Sequence, residues 1–319
     1  METASNHALG WIGIGRMGSA MAERLVQAGC NLALYNRTKS KTEPLAALGA
    51  KVVDTLGELA HCDIVFIMVS TSDDLKEVLF GAKGLASSGS LPKIVVDCST
   101  VSMEASAEVR EKLTAKGVEF LAAPVSGSPK VVKAGKLSVV ASGPNHAFDQ
   151  ARPYIDIFAP AGVSYVGEGE LSRVAKICAN IMLGVVAQNL AEITVLAERA
   201  GLPRSAFLAF INSSVVGSIF TRYKSPAYVN LDYTPTFTPF LLRKDMDLGL
   251  EMARKLEVAM PVATASREVL QAHLGQSSLK GGNYRQTDIA TLLDFEARCS
   301  GVELKSENVE VWDGLSPKS

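Results

Sequence analysis

The chain has 319 residues, 47% of them hydrophobic and 20% charged, and its formal net charge is -1. This length exceeds what one ordinary core accommodates, so it predicts two domains. The balance of 32 basic against 33 acidic residues excludes an electrostatic attraction to nucleic acid or to an anionic membrane surface, and we expect a small-molecule partner.

The cysteines and the first residues are typical of a cytoplasmic protein. The five cysteines are odd in number, widely spaced and mostly set in apolar runs, which predicts reduced core thiols, and their spacing fits no metal site. Residues 1–7 lack the basic and apolar regions of a secretory signal, and no apolar run approaches membrane-spanning length. We therefore expect a soluble protein with neither a metal nor a membrane partner.

The first predicted strand, residues 8–14, runs into the sequence GIGRMG at residues 13–18 and then into a helix over residues 17–28. Three glycines at this spacing allow a tight turn, a close approach of the backbone to a pyrophosphate, and packing of the helix on the strand. The helix N-terminus presents unpaired N–H groups and the positive end of its dipole to that anion. The pattern predicts a dinucleotide-binding Rossmann unit with cofactor contacts at Gly13, Ile14, Gly15, Arg16 and Met17.

The second predicted strand, residues 31–35, ends without the acidic residue that NAD-binding chains usually place there for the ribose 2′-hydroxyl. Arg37 instead offers a planar fork of donors to a 2′-phosphate, and Lys39 and Lys41 add positive charge. The sequence therefore favours NADP(H), with NAD(H) possible, and assigns cofactor contacts to Asn36, Arg37 and Thr38. Alternatively, these residues form an ordinary solvated loop.

Strands and helices alternate up to about residue 166, with further strands predicted at residues 51–53, 63–69, 94–98 and 137–142. The second of these is a continuous apolar run of the kind that parallel sheets bury on both faces. Open α/β sheets bind ligands at the carboxyl ends of their strands, so we expect Val69 and Ser70 beside the nicotinamide half of the cofactor. A helix over about residues 102–116 and a loop over residues 123–128 come before the last strand.

Beyond residue 167 helical periodicity replaces the strand pattern. One helix over residues 171–200 would be about 45 Å long at 1.5 Å per residue. The sequence thus predicts an α/β Rossmann domain (residues 1–168) followed by an all-α domain (residues 169–319), joined by a long inter-domain helix at about residues 170–200. Further helices are predicted at residues 203–213, 243–256, 262–275 and 287–300, and a loosely held polar tail at residues 301–319.

Lys176 and Asn180 stand four residues apart in the predicted long helix and share one of its faces. The neighbouring residues in the sequence are apolar, and apolar surroundings lower the pKa of an ammonium group toward neutrality, as proton exchange with a hydroxyl oxygen requires. The alternative is a lysine that extends from the helix flank to water.

Five motifs, in order and at suitable spacing, resemble the β-hydroxyacid dehydrogenase family: GIGRMG at residues 13–18, DCST at residues 97–100, APVSGS at residues 123–128, the run from residue 167 to Asn180, and KDM at residues 244–246. The resemblance spans about residues 8–295. Within the family the chain looks most like glyoxylate and succinic semialdehyde reductases. Relatives similar to 3-hydroxyisobutyrate dehydrogenase commonly carry Gly where this chain has Ser128, which weakens that assignment.

The resemblance implies a role for each matching residue. Lys176 matches the proton-donating lysine of the family, and Asn180 would orient it or bind the substrate oxygen. Lys244 matches a lysine that reaches over the nicotinamide, and Thr100 matches a cofactor contact. The residues that match or adjoin the substrate pocket are Ser126, Gly127 and Ser128, which would hold a carboxylate, and Phe237, which would wall the pocket or simply belong to the core.

The resemblance implies an NADPH-dependent reductase of a short carboxylated aldehyde or keto acid, acting as a homodimer or homotetramer. Three alternatives stay open: a 3-hydroxyisobutyrate or tartronate semialdehyde type dehydrogenase, an imine reductase, and a non-catalytic NADP-binding scaffold. The last two are disfavoured because such relatives tend to lack a lysine at the position of Lys176. None of the four histidines lies in a motif that a histidine-based dehydrogenase would use.

Overall fold

A computed structural model describes residues 7–279 and 286–315 and divides the chain into two compact units. The first, unit 1, ends at Lys176, and the second, unit 2, begins at Ile177. The boundary predicted after residue 168 lies earlier in the chain than this division. The first turn of the long helix groups with unit 1 because Ser172 and Arg173 are hydrogen-bonded to residues at the strand ends of that unit.

Unit 1 is built on a parallel sheet, as the apolar runs predict. Its strands within the described residues are β1 (Leu9–Ile12), β2 (Leu32–Tyr35), β3 (Lys51–Val52), β4 (Ile64–Ile67), β5 (Ile94–Asp97) and β6 (Glu119–Ala122). Their order in the sheet is β3-β2-β1-β4-β5-β6, so the direction of winding reverses at β1. Such a reversal opens a crevice at the carboxyl ends of the strands, and this class of sheet binds its ligands there.

The helices of unit 1 that flank the strands are α1 (Arg16–Gln27), α2 (Glu43–Ala46), α3 (Ser72–Phe80), α4 (Met103–Thr114), α5 (Pro129–Lys133) and α6 (Asn145–Phe158). Side chains along the strands alternate between two buried faces. On one face Trp11 stacks on Phe66 with ring centroids 5.6 Å apart, and Phe158 meets both rings edge-on. Ile12 and Ile67 belong to the core on the other face. Burial of both faces explains why these strands are apolar without interruption.

A small second sheet continues the chain after β6. Its strands are β7 (Val125–Ser126), β8 (Ser138–Ala141) and β9 (Gly162–Tyr165), with β7 antiparallel and β9 parallel to β8. A bridge between Ala122 and Ser142 joins the end of β6 to the residue after β8. The predicted loop at residues 123–128 therefore contains a short strand, and its serines lie at the start of this sheet.

The long helix α7 (Leu171–Arg199) confirms the predicted helix over residues 171–200 to within one residue. Unit 2 continues with α8 (Arg204–Ser213), α9 (Ile219–Asn230), α10 (Pro239–Lys255), α11 (Pro261–Leu279) and α12 (Leu292–Cys299). Helix α9, which carries Pro226 in its interior, was not predicted. Helix α10 begins four residues before the predicted start at residue 243, because Thr238 caps it by accepting a hydrogen bond from the Leu241 N–H.

The prediction of a loosely held tail is wrong for residues 301–315, the part of it that the structure describes. The Glu307 carboxylate accepts hydrogen bonds from the N–H groups of Arg204 and Ser205, which begin α8. The amide of Asn230 donates to the carbonyl oxygen of Val309. A polar segment is thus held by side-chain pairs that its composition does not reveal. Residues 316–319 lie outside the described residues.

Helix α7 also corrects the statement that no apolar run approaches membrane-spanning length. By length and composition it is long and apolar enough to cross a bilayer, with a mean hydropathy of 1.4 over its best 18-residue window. Half of that window is buried inside the protein, and the core helix of a soluble protein meets the same criteria. A cytoplasmic location and the lack of a membrane partner stay predictions.

The expectation of core thiols holds for only part of the set. Cys62 and Cys98 are buried, and burial raises the pKa of the Cys62 thiol to about 11. Cys178 and Cys299 are exposed on helices instead. Apolar neighbours in sequence do not place a residue in the core when the helix turns it outward.

Candidate active site

The glycine-rich turn after β1 has the geometry that a pyrophosphate requires. Gly13 has φ +98, and a Cβ at this position would lie 2.2 Å from the carbonyl oxygen of Met68. A Cβ at Gly18 would lie 2.0 Å from the carbonyl oxygen of Gly13. A Cβ at Gly15 would meet nothing within 4 Å, so its backbone faces open space. Two glycines therefore close the turn, and the third leaves room for a ligand against the main chain.

The start of α1 is suited to an anion. Gly15 occupies the N-cap position, and no side chain caps the helix there. No acidic residue lies in the first turn. The N–H groups of this turn and the positive end of the helix dipole are thus available to a phosphate, and the residues fit the diphosphate of a dinucleotide.

Asn36 connects the glycine-rich turn to the segment after β2. Its Oδ1 accepts a hydrogen bond from the Ile14 N–H at 2.9 Å, and its Nδ2 donates to the Thr38 carbonyl oxygen at 2.8 Å. Both ends of the Asn36 amide are therefore hydrogen-bonded inside the protein, so Asn36 joins the glycine-rich turn to residues 36–38. Its contact with the cofactor stays a prediction.

The basic residues that follow β2 do not share one environment. Arg37 and Thr38 are exposed at the edge where a 2′-phosphate would lie. Lys39 forms an ion pair with Asp54, and this hydrogen-bonded partner raises the pKa of the Lys39 ammonium. The carboxylate of Asp54 offsets the charge of Lys39, so Arg37 is the better placed of the two for an added anion.

The ends of β4 and β5 are joined by a buried network. The Val69 N–H donates to Ser99 Oγ at 2.9 Å, and the Ser99 N–H donates to Asp97 Oδ1 at 3.0 Å. Arg173, on the first turn of α7, donates to Asp97 Oδ2 and to the carbonyl oxygen of Ser99, each at 2.6 Å. These hydrogen bonds fix Ser99, and Thr100 follows it directly in the chain.

The DCST motif is recognisable in the sequence, but no role was predicted for Asp97 or Arg173. A signal was present, because an aspartate that ends a continuous apolar strand and an arginine in an apolar helix both need partners. The sequence did not show that they are each other's partners.

Lys176 follows Arg173 by about one turn of α7 and is only 9% exposed. The neighbours expected to surround it divide between two sides of the helix. Ile177 and Ile181 are buried, whereas Ala175, Cys178 and Ala179 are exposed. Most of the surface of Lys176 is covered, but only part of its apolar sequence neighbourhood contributes to that cover.

Asn180, 4% exposed, donates from Nδ2 to Asp245 Oδ2 at 2.6 Å. Lys244 Nζ lies 2.9 Å from Asp245 Oδ1. Asn180 and Lys244, predicted separately, are thus joined through a buried carboxylate that the sequence analysis did not assign to the site. A Cβ at Gly249 would lie 2.3 Å from Ile181 Cδ1, so a larger residue at position 249 would force the Ile181 side chain to move.

The three residues of the Ser-Gly-Ser loop differ in environment. Ser126 and Gly127 are exposed. Gly127 has φ +149, and a Cβ there would lie 2.8 Å from Val131 Cγ1, so only glycine fits. Ser128 is buried and its hydroxyl faces the Val131 N–H at the start of α5, at a long 3.5 Å. The exposed Ser126 and the glycine backbone are the better placed donors for an incoming carboxylate.

The remaining predicted residues lie in varied positions. Val69 and Thr100 are half-buried and Ser70 is exposed at the strand ends of unit 1. Phe237 packs, half-buried, against the core of unit 2, which supports the core interpretation of this residue. Across residues 7–279 and 286–315, no group of three or more His, Cys, Asp or Glu side chains is placed to hold a metal ion.

Comparison with known proteins gives two family matches that together span most of the chain. Residues 8–167 match the NAD binding domain of 6-phosphogluconate dehydrogenase, and residues 170–290 match the NAD-binding family of NADP-dependent 3-hydroxyisobutyrate dehydrogenase. The chain is 32% identical to glyoxylate/succinic semialdehyde reductase 2, chloroplastic, of Arabidopsis thaliana, over 82% of this chain and 73% of that protein. It is 27% identical to 3-hydroxyisobutyrate dehydrogenase of Pseudomonas aeruginosa, over 83% and 91% of the two chains.

A solved structure shares the fold. The crystal structure of 3-hydroxyisobutyrate dehydrogenase (ygbJ) from Salmonella typhimurium aligns with a TM-score of 0.78 at 26% identity, covering 90% of this chain and 98% of that one. A parallel sheet with flanking helices, followed by a helical C-terminal region, is therefore the arrangement of a known group of oxidoreductases.

Proposed function

The chain belongs to the NAD(P)-dependent β-hydroxyacid dehydrogenases and reductases, and from this premise we propose that it reduces a short carboxylated aldehyde or keto acid with NADPH. Glyoxylate and succinic semialdehyde are the candidates that the name of the 32% identical relative supports. A 3-hydroxyisobutyrate or tartronate semialdehyde type dehydrogenase is the second candidate, and the name of the solved structure supports the 3-hydroxyisobutyrate type.

One observation carries the proposal: a covered lysine, Lys176, follows a helix turn that is tied to the carboxyl ends of β5 and β6. Arg173 makes the tie to β5, and Ser172 Oγ makes the tie to β6 by donating to the Ala122 carbonyl oxygen at 2.9 Å. Those strand ends are where an open α/β sheet binds its ligand. A proton donor fixed there fits the reduction of a carbonyl group.

The chemistry divides between the cofactor and the protein. When bound, NADPH supplies a hydride to the carbonyl carbon. The Lys176 ammonium donates a hydrogen bond to the carbonyl oxygen and then a proton, so that one hydride and one proton convert the carbonyl to a hydroxyl. In the reverse direction the neutral amine accepts the proton. Asn180, one turn further along α7, orients the reacting oxygen, and the hydrogen bond to Asp245 fixes its amide.

The carboxylate of the substrate would be held by two exposed residues, Ser126 and Gly127. The Ser126 hydroxyl and the Gly127 backbone N–H can both donate hydrogen bonds to an anion. Ser128 is buried, with its hydroxyl 3.5 Å from the Val131 N–H, and its contact with the substrate stays a prediction.

NADPH is proposed over NADH because no carboxylate follows β2 to repel a 2′-phosphate. Position 36 carries a neutral amide that faces the protein, and Arg37 is exposed beside it. A guanidinium donates two parallel hydrogen bonds to a phosphate. Lys244 and Thr100 stay predicted cofactor contacts.

The proposal is tested by following NADPH and NADH oxidation with glyoxylate, succinic semialdehyde, tartronate semialdehyde and a cyclic imine. Turnover of one of the first three with NADPH, lost in Lys176→Ala, supports the proposal. Turnover of the imine alone would assign the chain to carbon–nitrogen reduction instead. NADPH binding without turnover of any substrate would identify a scaffold and overturn the proposal.

A homodimer or homotetramer is part of the same proposal. Unit 2 exposes large apolar side chains, among them Met182 and Leu196 on α7 and Phe210 on α8. Side chains of this kind can contribute to an association surface where they form one patch. Sedimentation analysis across a concentration series measures the oligomeric state, and a monomer at every concentration would contradict this part.

A further inference from the structure

We propose that Arg173 is a positioning residue: its buried guanidinium fixes the Ser99–Thr100 turn and the start of α7 together, and so sets where Lys176 presents its ammonium group. This inference rests on the proposed function of Lys176. Arg173 lies in the motif over residues 167–180, but no role was predicted for it, and the contacts described below all lie within unit 1.

Arg173 is almost completely buried, and all three nitrogens of its guanidinium donate hydrogen bonds. Nη2 donates to Asp97 Oδ2 at 2.6 Å, Nη1 to the Ser99 carbonyl oxygen at 2.6 Å, and Nε to Ser106 Oγ at 3.1 Å. The exposed fractions of the Arg173 and Asp97 side chains are 1% and 0%. The three acceptors lie on β5, on the turn that follows it and on α4, so one side chain joins these segments to α7.

The N–H group, the carbonyl oxygen and the hydroxyl of Ser99 all form hydrogen bonds. Its carbonyl oxygen accepts from Arg173, its N–H donates to Asp97 and its hydroxyl accepts from the Val69 N–H. A residue with its backbone and side chain so restricted leaves little freedom to its successor, Thr100. The strand ends of β4 and β5, where the reduced cofactor ring is expected, therefore have a fixed spacing that depends on Arg173.

The link to Lys176 is the helix itself. Residues three apart on an α-helix lie on the same face, so fixing Arg173 also fixes the face and height of Lys176. Ser172 adds a second tie through the Ala122 carbonyl oxygen. Two hydrogen-bonded anchors in one turn determine both the rotation and the displacement of the helix start relative to the sheet.

Stability alone does not account for this arrangement. A buried ion pair stabilises a fold little or not at all compared with apolar side chains of the same size, because desolvation of both charges offsets their attraction. A guanidinium does, however, impose direction, since its planar fork binds several acceptors in one fixed geometry. The buried fork of Arg173 is thus suited to hold two pieces of an active site in register.

The first test is Arg173→Lys, which keeps the charge but loses the fork. A lysine can pair with Asp97 without reaching Ser99 and Ser106 as well. We expect kcat to fall about 10- to 100-fold, since a displacement of about 1 Å at a reacting group costs on that order. We expect KM and the dissociation constant for NADPH to change less than about threefold, because the diphosphate of the dinucleotide is expected at the glycine-rich turn after β1, which Arg173 does not contact.

Arg204→Lys is the matched control. Arg204 is as deeply buried and donates to the carbonyl oxygens of Tyr228 and Val229, but these acceptors belong to the structural core of unit 2. We expect it to lower the melting temperature as Arg173→Lys does and to leave kcat unchanged. Equal losses of kcat in both variants would overturn the inference, since they would show that any buried guanidinium has this effect.

A second readout does not depend on activity. Reductive methylation with 13C-formaldehyde gives lysine methyl signals by NMR, and Lys176→Arg identifies the signal of Lys176. We expect this signal to shift in Arg173→Lys and to stay in place in Arg204→Lys. An unmoved signal together with an unchanged kcat would refute the positioning role while leaving the proposed function intact; a wild-type enzyme without turnover would refute the proposed function instead.

If Arg173→Lys does not fold, Ser106→Ala replaces it. This variant removes only the acceptor of the Arg173 Nε–H and leaves the pair with Asp97 in place. We expect a several-fold loss of kcat and a smaller shift of the Lys176 signal in the same direction. A variant with wild-type kcat and an unshifted signal would count against the role of Arg173.

Discussion

Two buried lysines, one in each unit, show that burial alone does not identify a chemical role. Lys224 lies on α9 and is paired with Asp288, whose other acceptor sites are filled by the N–H groups of Thr236 and Ala290. Lys176 lies on α7 one turn after a helix start that is tied to strand ends. The first lysine belongs to a closed cluster that joins three segments of unit 2. For the second we propose a role in proton transfer.

The largest effect is expected from Lys176→Ala. Removing the proton donor should lower kcat by about 10²- to 10⁴-fold, the range that general acid catalysis supplies. The melting temperature and the dissociation constant for NADPH should stay near those of the wild type. Steady-state rates with the best aldehyde of the substrate screen measure the first, and calorimetry and fluorescence titration measure the others. An active alanine variant would remove the distinction between the two lysines.

The reverse pattern is expected from Lys224→Met. The change leaves Asp288 buried without its cation and should lower the free energy of unfolding by about 3–5 kcal/mol, as measured in urea. The folded fraction should keep the wild-type kcat. The double variant Lys224→Met/Asp288→Asn serves as the control and should recover part of the stability. Loss of kcat without loss of stability would instead place Lys224 in the site.

Acid should destabilise unit 2 through His273. Burial, with a smaller contribution from the Arg298 charge, lowers the pKa of His273 from 6.5 to about 4. The unfolded chain then binds a proton that the folded chain does not, so stability is present above pH 6.5 and is lost as the pH falls toward 4. The loss should be on the order of 3 kcal/mol. Urea unfolding at several pH values measures it, and His273→Gln should flatten that part of the profile.

The smallest effect is expected from Arg37→Ala in unit 1, and it concerns the affinity for NADPH relative to NADH. Loss of the charge-assisted contact between the guanidinium and a 2′-phosphate should weaken NADPH binding by about tenfold or more. NADH binding should not change. Lys41→Ala is the neighbouring control and should have less effect on either cofactor. Fluorescence titration of both cofactors measures the ratio, and parallel weakening of NADPH and NADH would show that Arg37 does not read the phosphate.

Much of the fold follows from local patterns. Strands β1 and β4 are continuous apolar runs, and α7 is a long periodic segment closed by Gly201 and Pro203. Helix α9 was missed because Pro226 interrupts its pattern, and its formation depends on tertiary contacts such as Lys224 with Asp288. The ordered segment at residues 301–315 likewise depends on the hydrogen bond from the Arg204 N–H at the start of α8 to Glu307, two residues that are 103 positions apart in the sequence.

The candidate site divides in the same way. The glycine-rich turn could be predicted since backbone conformation at Gly13 restricts the residue type directly. Asp97, Arg173 and Asp245 could not be assigned, because their partners lie far away in the sequence and only the folded chain brings them together. Spacing on one helix predicts shared faces, whereas pairing between segments needs coordinates.

The two hydrogen bonds of Asn36 matter for anyone who wishes to redesign coenzyme preference. The usual exchange toward NADH installs an aspartate at the end of the second strand, but here the replaced amide both accepts from Ile14 and donates to Thr38. A carboxylate reproduces the first bond and leaves the Thr38 carbonyl without its donor. Engineers should therefore retain Asn36 and introduce an acidic group at residue 37 or 38, where the chain is open to solvent.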